Sequence, residues 1–219
     1  MLTNAELARQ NMIENQVRPW EVLDPRVLDV LGAVRREDFV PARYRNLAFA
    51  DVALPLGHGE VMMKPIVEGR VLQALGLSAD DRVLEIGTGS GFLTACMARL
   101  AQSVTSVELH ADFAEAARAR IAASGAKNVR IEVGDAIKDF DTGERFDAVV
   151  VTGAVYALPE RLRHSVGTNG RLFAIVGESP AMQATLYTRI GDSQLREQSL
   201  FETDIPYLAH AAPPRRFSL

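Results

Sequence analysis

The sequence predicts an α/β fold: an open, doubly wound, largely parallel sheet with an N-terminal helical cap and a C-terminal antiparallel hairpin. Three observations carry this. From residue 65 onward, apolar strand-like runs alternate with helical periodicities, the rhythm of βα units in a parallel sheet. Within that stretch Val83-Leu84-Glu85-Ile86-Gly87-Thr88-Gly89-Ser90-Gly91 is a buried strand that breaks into glycines at alternate positions. Beyond residue 184 the helical pattern stops, and two extended runs flank Gly191-Asp192-Ser193 as in a hairpin.

The elements follow in order. Residues 5–17 carry Leu7, Met12, Ile13 and Val17 in a mostly polar helix expected to stop before Pro19, with Trp20 anchoring this cap in the core. Asp24-Pro25 supplies an N-cap and a first-turn proline for a second helix through Val27, Leu28, Val30, Leu31 and Val34, closed by Phe39-Val40-Pro41. Residues 44–59, rich in Pro and Gly, are expected to be irregular and end in Leu54-Pro55-Leu56-Gly57-His58-Gly59, which could reach over a ligand. A helix then runs from Lys64-Pro65 through Ile66, Val67, Val71, Leu72 and Leu75 to Gly76, and residues 78–81 feed the first strand.

After the glycine loop Phe92, Leu93, Cys96, Met97 and Leu100 fall at helical spacing. Residues 104–108 and 129–135 read as the second and third strands, joined by an Ala- and Arg-rich helix at 112–124. Residues 146–152 form a fully buried strand ended by Gly153-Ala154, 159–166 a helix, Gly170 the cap of a turn, and 171–177 the fifth strand. The hairpin at 184–190 and 195–203 then leaves one reversed edge strand. Residues 1–64, cap and covering loop, and 65–219, core and hairpin, are expected to fold as a single globular unit.

Composition excludes several classes of function. The chain has 219 residues, 47% of them hydrophobic, and a formal charge of -4, which speaks against nucleic-acid or anionic-membrane binding. No run of 18 apolar residues and no charged leader with an apolar stretch is present, so a cytoplasmic protein is expected. The single cysteine, Cys96, excludes an internal disulfide and sits on the apolar face of its helix as a core residue. His58, His110, His164 and His210 lack ligand spacing, and no metal site is expected.

The glycine spacing selects a cofactor. A dinucleotide fingerprint places its last glycine three residues after the second, whereas here the pattern is Glu-x-Gly-x-Gly-x-Gly. This reads as a loop for S-adenosyl-L-methionine, with Glu85 offering a negative charge to the ammonium of its amino-acid part. Gly87, Thr88, Gly89, Ser90 and Gly91 would pack close to that ligand. Glu108, at the end of the second strand, can accept from both ribose hydroxyls, with Leu109 beside it. Asp135, at the end of the third, is placed to accept from the adenine amino group, with Ala136 beside it. Thr152 ends the fourth strand at the same edge and is a better site candidate than Tyr156. The plainer reading makes Glu108 and Asp135 helix caps or solvated loop acids. Together these features describe a Rossmann-like methyltransferase sheet.

Over most of its length the chain resembles the protein-L-isoaspartate O-methyltransferase family. The resemblance rests on Asn11-Met12-Ile13-Glu14-Asn15-Gln16-Val17-Arg18, Asp24-Pro25-Arg26-Val27-Leu28, Phe39-Val40-Pro41, Ala50-Asp51, Leu54 to Gly59, Val83 to Gly91 and Arg145 to Ala154. Gly170-Arg171-Leu172 and the hairpin containing Gln183 extend it. It implies a repair enzyme that methylates isoaspartyl carboxylates in damaged proteins with S-adenosylmethionine. In the family, Gly-His-Gly is followed by Gln-Thr-Ile-Ser, but here the segment reads Glu60-Val61-Met62-Met63-Lys64-Pro65. Val61 and Met63 therefore stand for the family's threonine and serine. The end also departs, with Asp204-Ile205-Pro206-Tyr207 and Pro213-Pro214-Arg215-Arg216 in place of an apolar strand.

Three functions fit these residues: a carboxyl methyltransferase for isoaspartyl proteins or peptides with a substituted acceptor pocket, a methyltransferase for a small-molecule acceptor, or a non-catalytic cofactor-binding relative. For a hydroxyl acceptor, His58 or Glu60 is the nearest base. His58 is either a cofactor or acceptor contact or a brace for its loop, and Lys64 either a partner for a carboxylate or a solvated residue at a helix start. Oligomeric state is not legible in the sequence.

Overall fold

The computed structural model describes residues 3–139, 141–191 and 194–214. Met1 and Leu2, Asp192 and Ser193 of the expected turn, and Arg215 and Arg216 of the tail lie outside them. No helix among the described residues is long and apolar enough to cross a membrane.

The cap begins with α1 (Asn4–Met12), started by a capping box in which Thr3 Oγ1 accepts from Glu6 N at 3.2 Å and Glu6 Oε2 accepts from Thr3 N at 2.6 Å. The helix does not stop before Pro19. It widens into a π-turn, Ile13–Val17, and tightens into a 3-10 turn, Arg18–Trp20, which accepts Pro19 in its first turn, where no N–H is needed. This change of phase turns Trp20 outward to 54% exposure, while Val17 and Val22 fill the core position expected for it.

Asp24 caps α2 (Pro25–Ala33) through its Oδ1 and the N–H of Arg26, 2.9 Å apart. The helix ends before the expected Phe39-Val40-Pro41 stop, and a 3-10 turn, Arg36–Asp38, carries the Arg36 side chain inward. The stretch expected to be irregular holds a small antiparallel hairpin, β1 (Leu54–Gly57) and β2 (Glu60–Met62). Its turn is possible because Gly57, His58 and Gly59 all adopt positive φ, at 136, 52 and 85°. Pro65 starts α3 (Pro65–Leu75), and Gly76 ends it at φ 52°.

The core then alternates β3 (Arg82–Ile86), α4 (Phe92–Ala98), β4 (Ser103–Glu108), α5 (Ala111–Ala123), β5 (Val129–Val133), β6 (Phe146–Val155), α6 (Glu160–His164) and β7 (Val166–Val176). The hairpin strands β8 (Met182–Ile190) and β9 (Gln194–Thr203) complete a sheet of order β5-β4-β3-β6-β7-β8-β9. Strands β3 to β7 are parallel; β8 runs against both β7 and β9. The reversed strand is thus one place in from the edge, because each hairpin strand adds beside the last.

Two strands are longer than the pattern implies. β6 continues past Gly153 because Ala154 and Val155 pair with Ile175 and Val176 of β7, and Ala154 also finds backbone partners in the C-terminal segment, Pro206 O and Leu208 N, both at 2.9 Å. β7 starts at Val166 and takes Gly170 into an irregular stretch of its ladder with β6. Apolar layers cover both faces of the sheet; Phe92, Leu93 and the cap fill one, and Leu84, Val149, Leu162 and Leu172 lie in the other.

Arg36 joins the cap to this core. Fully buried, it donates through Nε to Ala48 O at 2.9 Å and through Nη2 to Met63 O at 2.8 Å, and it pairs through Nη1 with Glu68 of α3. Its guanidinium stacks 4.9 Å from the Phe92 ring centroid. Burial pushes the Glu68 carboxyl up to about 7 even against that guanidinium. Arg36→Met, which strands Glu68 without its partner, should cost roughly 3–5 kcal/mol in urea unfolding. Adding Glu68→Leu should recover part of the loss. Strictly additive costs would show that the two side chains are not coupled.

Candidate functional site

The parallel strands point their carboxyl ends to one edge, and the chain switches direction between β3 and β6, leaving a crevice there. Gly87, Gly89 and Gly91 all have positive φ and carry the backbone from β3 to α4. At Gly87 a side chain would collide with Thr152 Oγ1, which donates to the carbonyls of Ile86 at 2.8 Å or Gly87 at 2.6 Å. Thr152 therefore braces the loop while forming part of the crevice wall. Gly91 lets α4 pack on α5, where a Cβ would lie 3.1 Å from Ala117 and Ile121.

Behind the loop Glu85 is fully buried. Its Oε2 accepts from Thr94 Oγ1 at 2.5 Å and Ser106 Oγ at 2.6 Å, and Thr88 Oγ1 lies 2.5 Å from the same Ser106 hydroxyl. The other oxygen, Oε1, is buried without a hydrogen-bond partner. Burial raises this carboxyl to about 8, although the two hydroxyls pull it down. Ser90 Oγ accepts from Phe92 N at 3.2 Å at the start of α4.

Glu108 holds the loop from the next strand. Its Oε2 accepts from Gly89 N at 2.8 Å and its Oε1 from His110 N at 3.0 Å, so each oxygen keeps a lone pair for a ligand hydroxyl. Asp135 Oδ1 accepts from the N–H groups of Ile137 and Lys138, both at 3.1 Å, and its Oδ2 lies 2.7 Å from His210 Nδ1. Both acids are thus backbone caps and, at the same time, walls of the crevice.

The crevice is open to solvent and has a cavity volume of about 110 Å³. Gly87, Gly89, Glu108, Leu109, Asp135, Ala136 and Thr152 line it on one side, with Met63 and Lys64 on the other. Glu85, Thr88 and Ser90 line an adjoining recess shared with Met63. Gly91 lies in neither wall and serves helix packing. His58 is also outside: its Nε2 lies 3.0 Å from Asp112 Oδ2, and its ring stacks on His110 with centroids 4.1 Å apart. Among the described residues Lys64 makes no salt bridge.

Several wall residues were not singled out in the sequence. Leu56 comes from the β1–β2 hairpin, beside the Val61 already singled out, and Phe113 from the first turn of α5. A strap from Asp204 to Ala209 adds Ile205, Pro206 and Leu208, and Leu208 packs against Gly153 and Gly87. Tyr156 is not in the wall; its N–H donates to Ala211 O at 2.8 Å, which tethers the same strap.

A family model described as Protein-L-isoaspartate(D-aspartate) O-methyltransferase (PCMT) matches residues 7–207. The chain belongs to this family. The protein-L-isoaspartate O-methyltransferase of Methylorubrum populi is 37% identical over 193 residues, covering 88% of this chain and 91% of that one. Protein-L-isoaspartate O-methyltransferase 1 of Rhodopseudomonas palustris is 36% identical over 199 residues, covering 90% and 81%. A Plasmodium falciparum crystal structure, assigned to the same activity and holding S-adenosyl-L-homocysteine, shares the fold with a TM-score of 0.77 at 19% identity, over 94% of this chain and 99% of that one.

The protein-L-isoaspartate O-methyltransferase family uses S-adenosylmethionine, and the crevice of this member fits that group. The orphaned Glu85 Oε1 is a buried carboxyl oxygen in the wall of the recess with no hydrogen-bond partner, and an ammonium is its chemical complement. Glu108 would take the ribose and Asp135 the adenine edge. The family match stops at Tyr207, so Leu208 and Ala209 of the strap, and His210 after it, lie beyond it.

Because Glu85 titrates higher in the fold than its ordinary 4.5, the folded chain binds that proton more tightly than the unfolded chain. Stability is then full below about 4.5 and declines as pH rises through about 8, with Glu68 acting in the same direction up to about 7. Glu85→Gln should flatten the upper part of that decline in urea titrations. The same variant should weaken cofactor binding in calorimetry by about tenfold or more. An unaltered slope together with unaltered affinity would remove Glu85 from the cofactor's surroundings.

Proposed function

We propose that the protein is an S-adenosylmethionine-dependent carboxyl O-methyltransferase for L-isoaspartyl residues in damaged proteins and peptides, working through an acceptor pocket in which Val61 and Met63 replace a hydroxyl pair. The reading is carried by one juxtaposition: the segment Glu60 to Lys64 forms the wall facing Glu108 and Asp135 in a single crevice. When bound, the cofactor supplies an electrophilic methyl group on a sulfonium centre.

The chain's own work is placement and dryness. An isoaspartyl carboxylate is ionised near neutral pH, so no general base is required. Leu56, Val61 and Met63 on one side and Ile205 and Pro206 on the other keep water away from the carboxylate. Lys64 stands at the rim as an uncompensated cation that holds the acceptor's charge. Arg36 fixes the Met63 carbonyl and with it the course of the acceptor segment. His58 acts by pinning the hairpin tip to α5.

A small-molecule acceptor is the second reading, favoured by the apolar surface that Met63 and Val61 turn to the crevice. Labelled methyl transfer to an isoaspartyl peptide and its aspartyl twin separates the two, with cofactor binding followed in the same sample. Selective labelling supports the first reading; binding without labelling of either peptide rejects it. Within the first reading, restoring hydroxyls with Val61→Thr and Met63→Ser should raise kcat/KM about tenfold for each hydrogen bond gained. Lys64→Gln should raise the peptide KM several-fold and leave cofactor affinity unaltered.

A further inference from the structure

The strongest unassigned cluster lies at the edge of the crevice, with His110 in its wall and His58 outside it. His58, at the tip of the β1–β2 hairpin, and Asp112, in the first turn of α5, are 54 residues apart in sequence. Together with His110 they bring ligand-capable atoms within 4.8 Å of one another. We propose that His58, His110 and Asp112 form a site for a divalent transition-metal ion of the zinc class at the mouth of the crevice.

The donor set is the one such ions take: two neutral imidazoles and a carboxylate, with a position left for water. Ligand atoms around tetrahedral zinc stand about 3.4 Å apart, as follows from zinc–ligand bonds near 2.1 Å. His58 Nε2 and Asp112 Oδ2 are 3.0 Å apart in a hydrogen-bond contact, so a small separation of the two brings them to that spacing. The two imidazole planes are 7° from parallel, so one ring must turn about its Cβ–Cγ bond for both to face one ion. Nothing among the described residues holds the His110 nitrogens against such a turn: they make no hydrogen bond or ion pair, only ring contacts with His58 and Phe113.

Local charge favours a cation. Glu60 and Glu108 act on one another electrostatically, and Glu60 also on both rings, while Asp112 forms its ion pair with His58. Among the described residues no Arg or Lys forms a salt bridge with Glu60, Glu108 or Asp112. Backbone strain points the same way. His58 sits at φ 52°, between two positive-φ glycines, a conformation uncommon for a residue with a side chain and concentrated at functional sites. Bound metal would tie the hairpin, which carries Val61 on the acceptor wall, to the helix that follows Glu108. It would thereby fix the width of the crevice mouth, where His110 and Phe113 form part of the wall.

Calorimetry with zinc chloride on the untagged full chain tests this without reference to turnover. One ion per chain is expected, with magnesium giving no heat, and cobalt in place of zinc should develop a visible spectrum of histidine and carboxylate ligation. His58→Asn keeps a side chain that tolerates positive φ, so its fold should survive, as circular dichroism can check. In it and in Asp112→Asn, zinc affinity should fall at least about tenfold. His164→Ala, an exposed histidine elsewhere, should bind zinc as the wild type does. Absence of zinc binding, retention of it in folded His58→Asn, or loss of it in His164→Ala would each overturn the proposal.

Discussion

A single buried guanidinium ties the acceptor side of the crevice to the rest of the fold. Arg36 reaches from the cap to the carbonyls of Ala48 and Met63 and to the carboxylate of Glu68, with its flat face against Phe92. A lysine could not satisfy these partners at once, because only a planar fork offers donors in several fixed directions. The cost is a carboxyl taken wholly out of water, visible in the raised Glu68 titration. In return the Met63 carbonyl has one place to be, and α4, through Phe92, is held to the cap.

The two sides of the crevice are made of different materials. The cofactor side is built from backbone and acids: a glycine loop braced by Thr152, and carboxylates at the ends of β3, β4 and just past β5. The acceptor side is built from side chains on a short hairpin. Val61 and Met63 can therefore replace hydroxyl residues without disturbing Glu85, Glu108 or Asp135, which belong to other elements.

What was legible in the sequence was what short-range pattern controls. The glycine loop, the acids at Glu85, Glu108 and Asp135, the Asp24 cap and the Gly76 stop each depend on a few neighbouring residues, and all stand where the spacing puts them. The misses share a cause, in that distant contacts decided them. Trp20 faces out because a π-turn shifts the helix phase, and β6 runs on past Gly153 because Ala154 and Val155 pair with Ile175 and Val176 of β7. The β1–β2 hairpin hid behind Pro55 and two glycines, which read as irregular chain. His58 and Asp112, separated in sequence, had no spacing to betray them.

The strap that closes the crevice follows strands β1 to β9 in chain order. Pro206 and Leu208 add no strand of their own; they dock on a ladder already formed by β6 and β7. During synthesis from the N-terminus, the whole sheet and its glycine loop can assemble while this wall is still missing. A chain cut short before Asp204 would keep every strand and every strand-end acid yet present them in an open trough, so completion of the sheet and completion of the pocket are separate events.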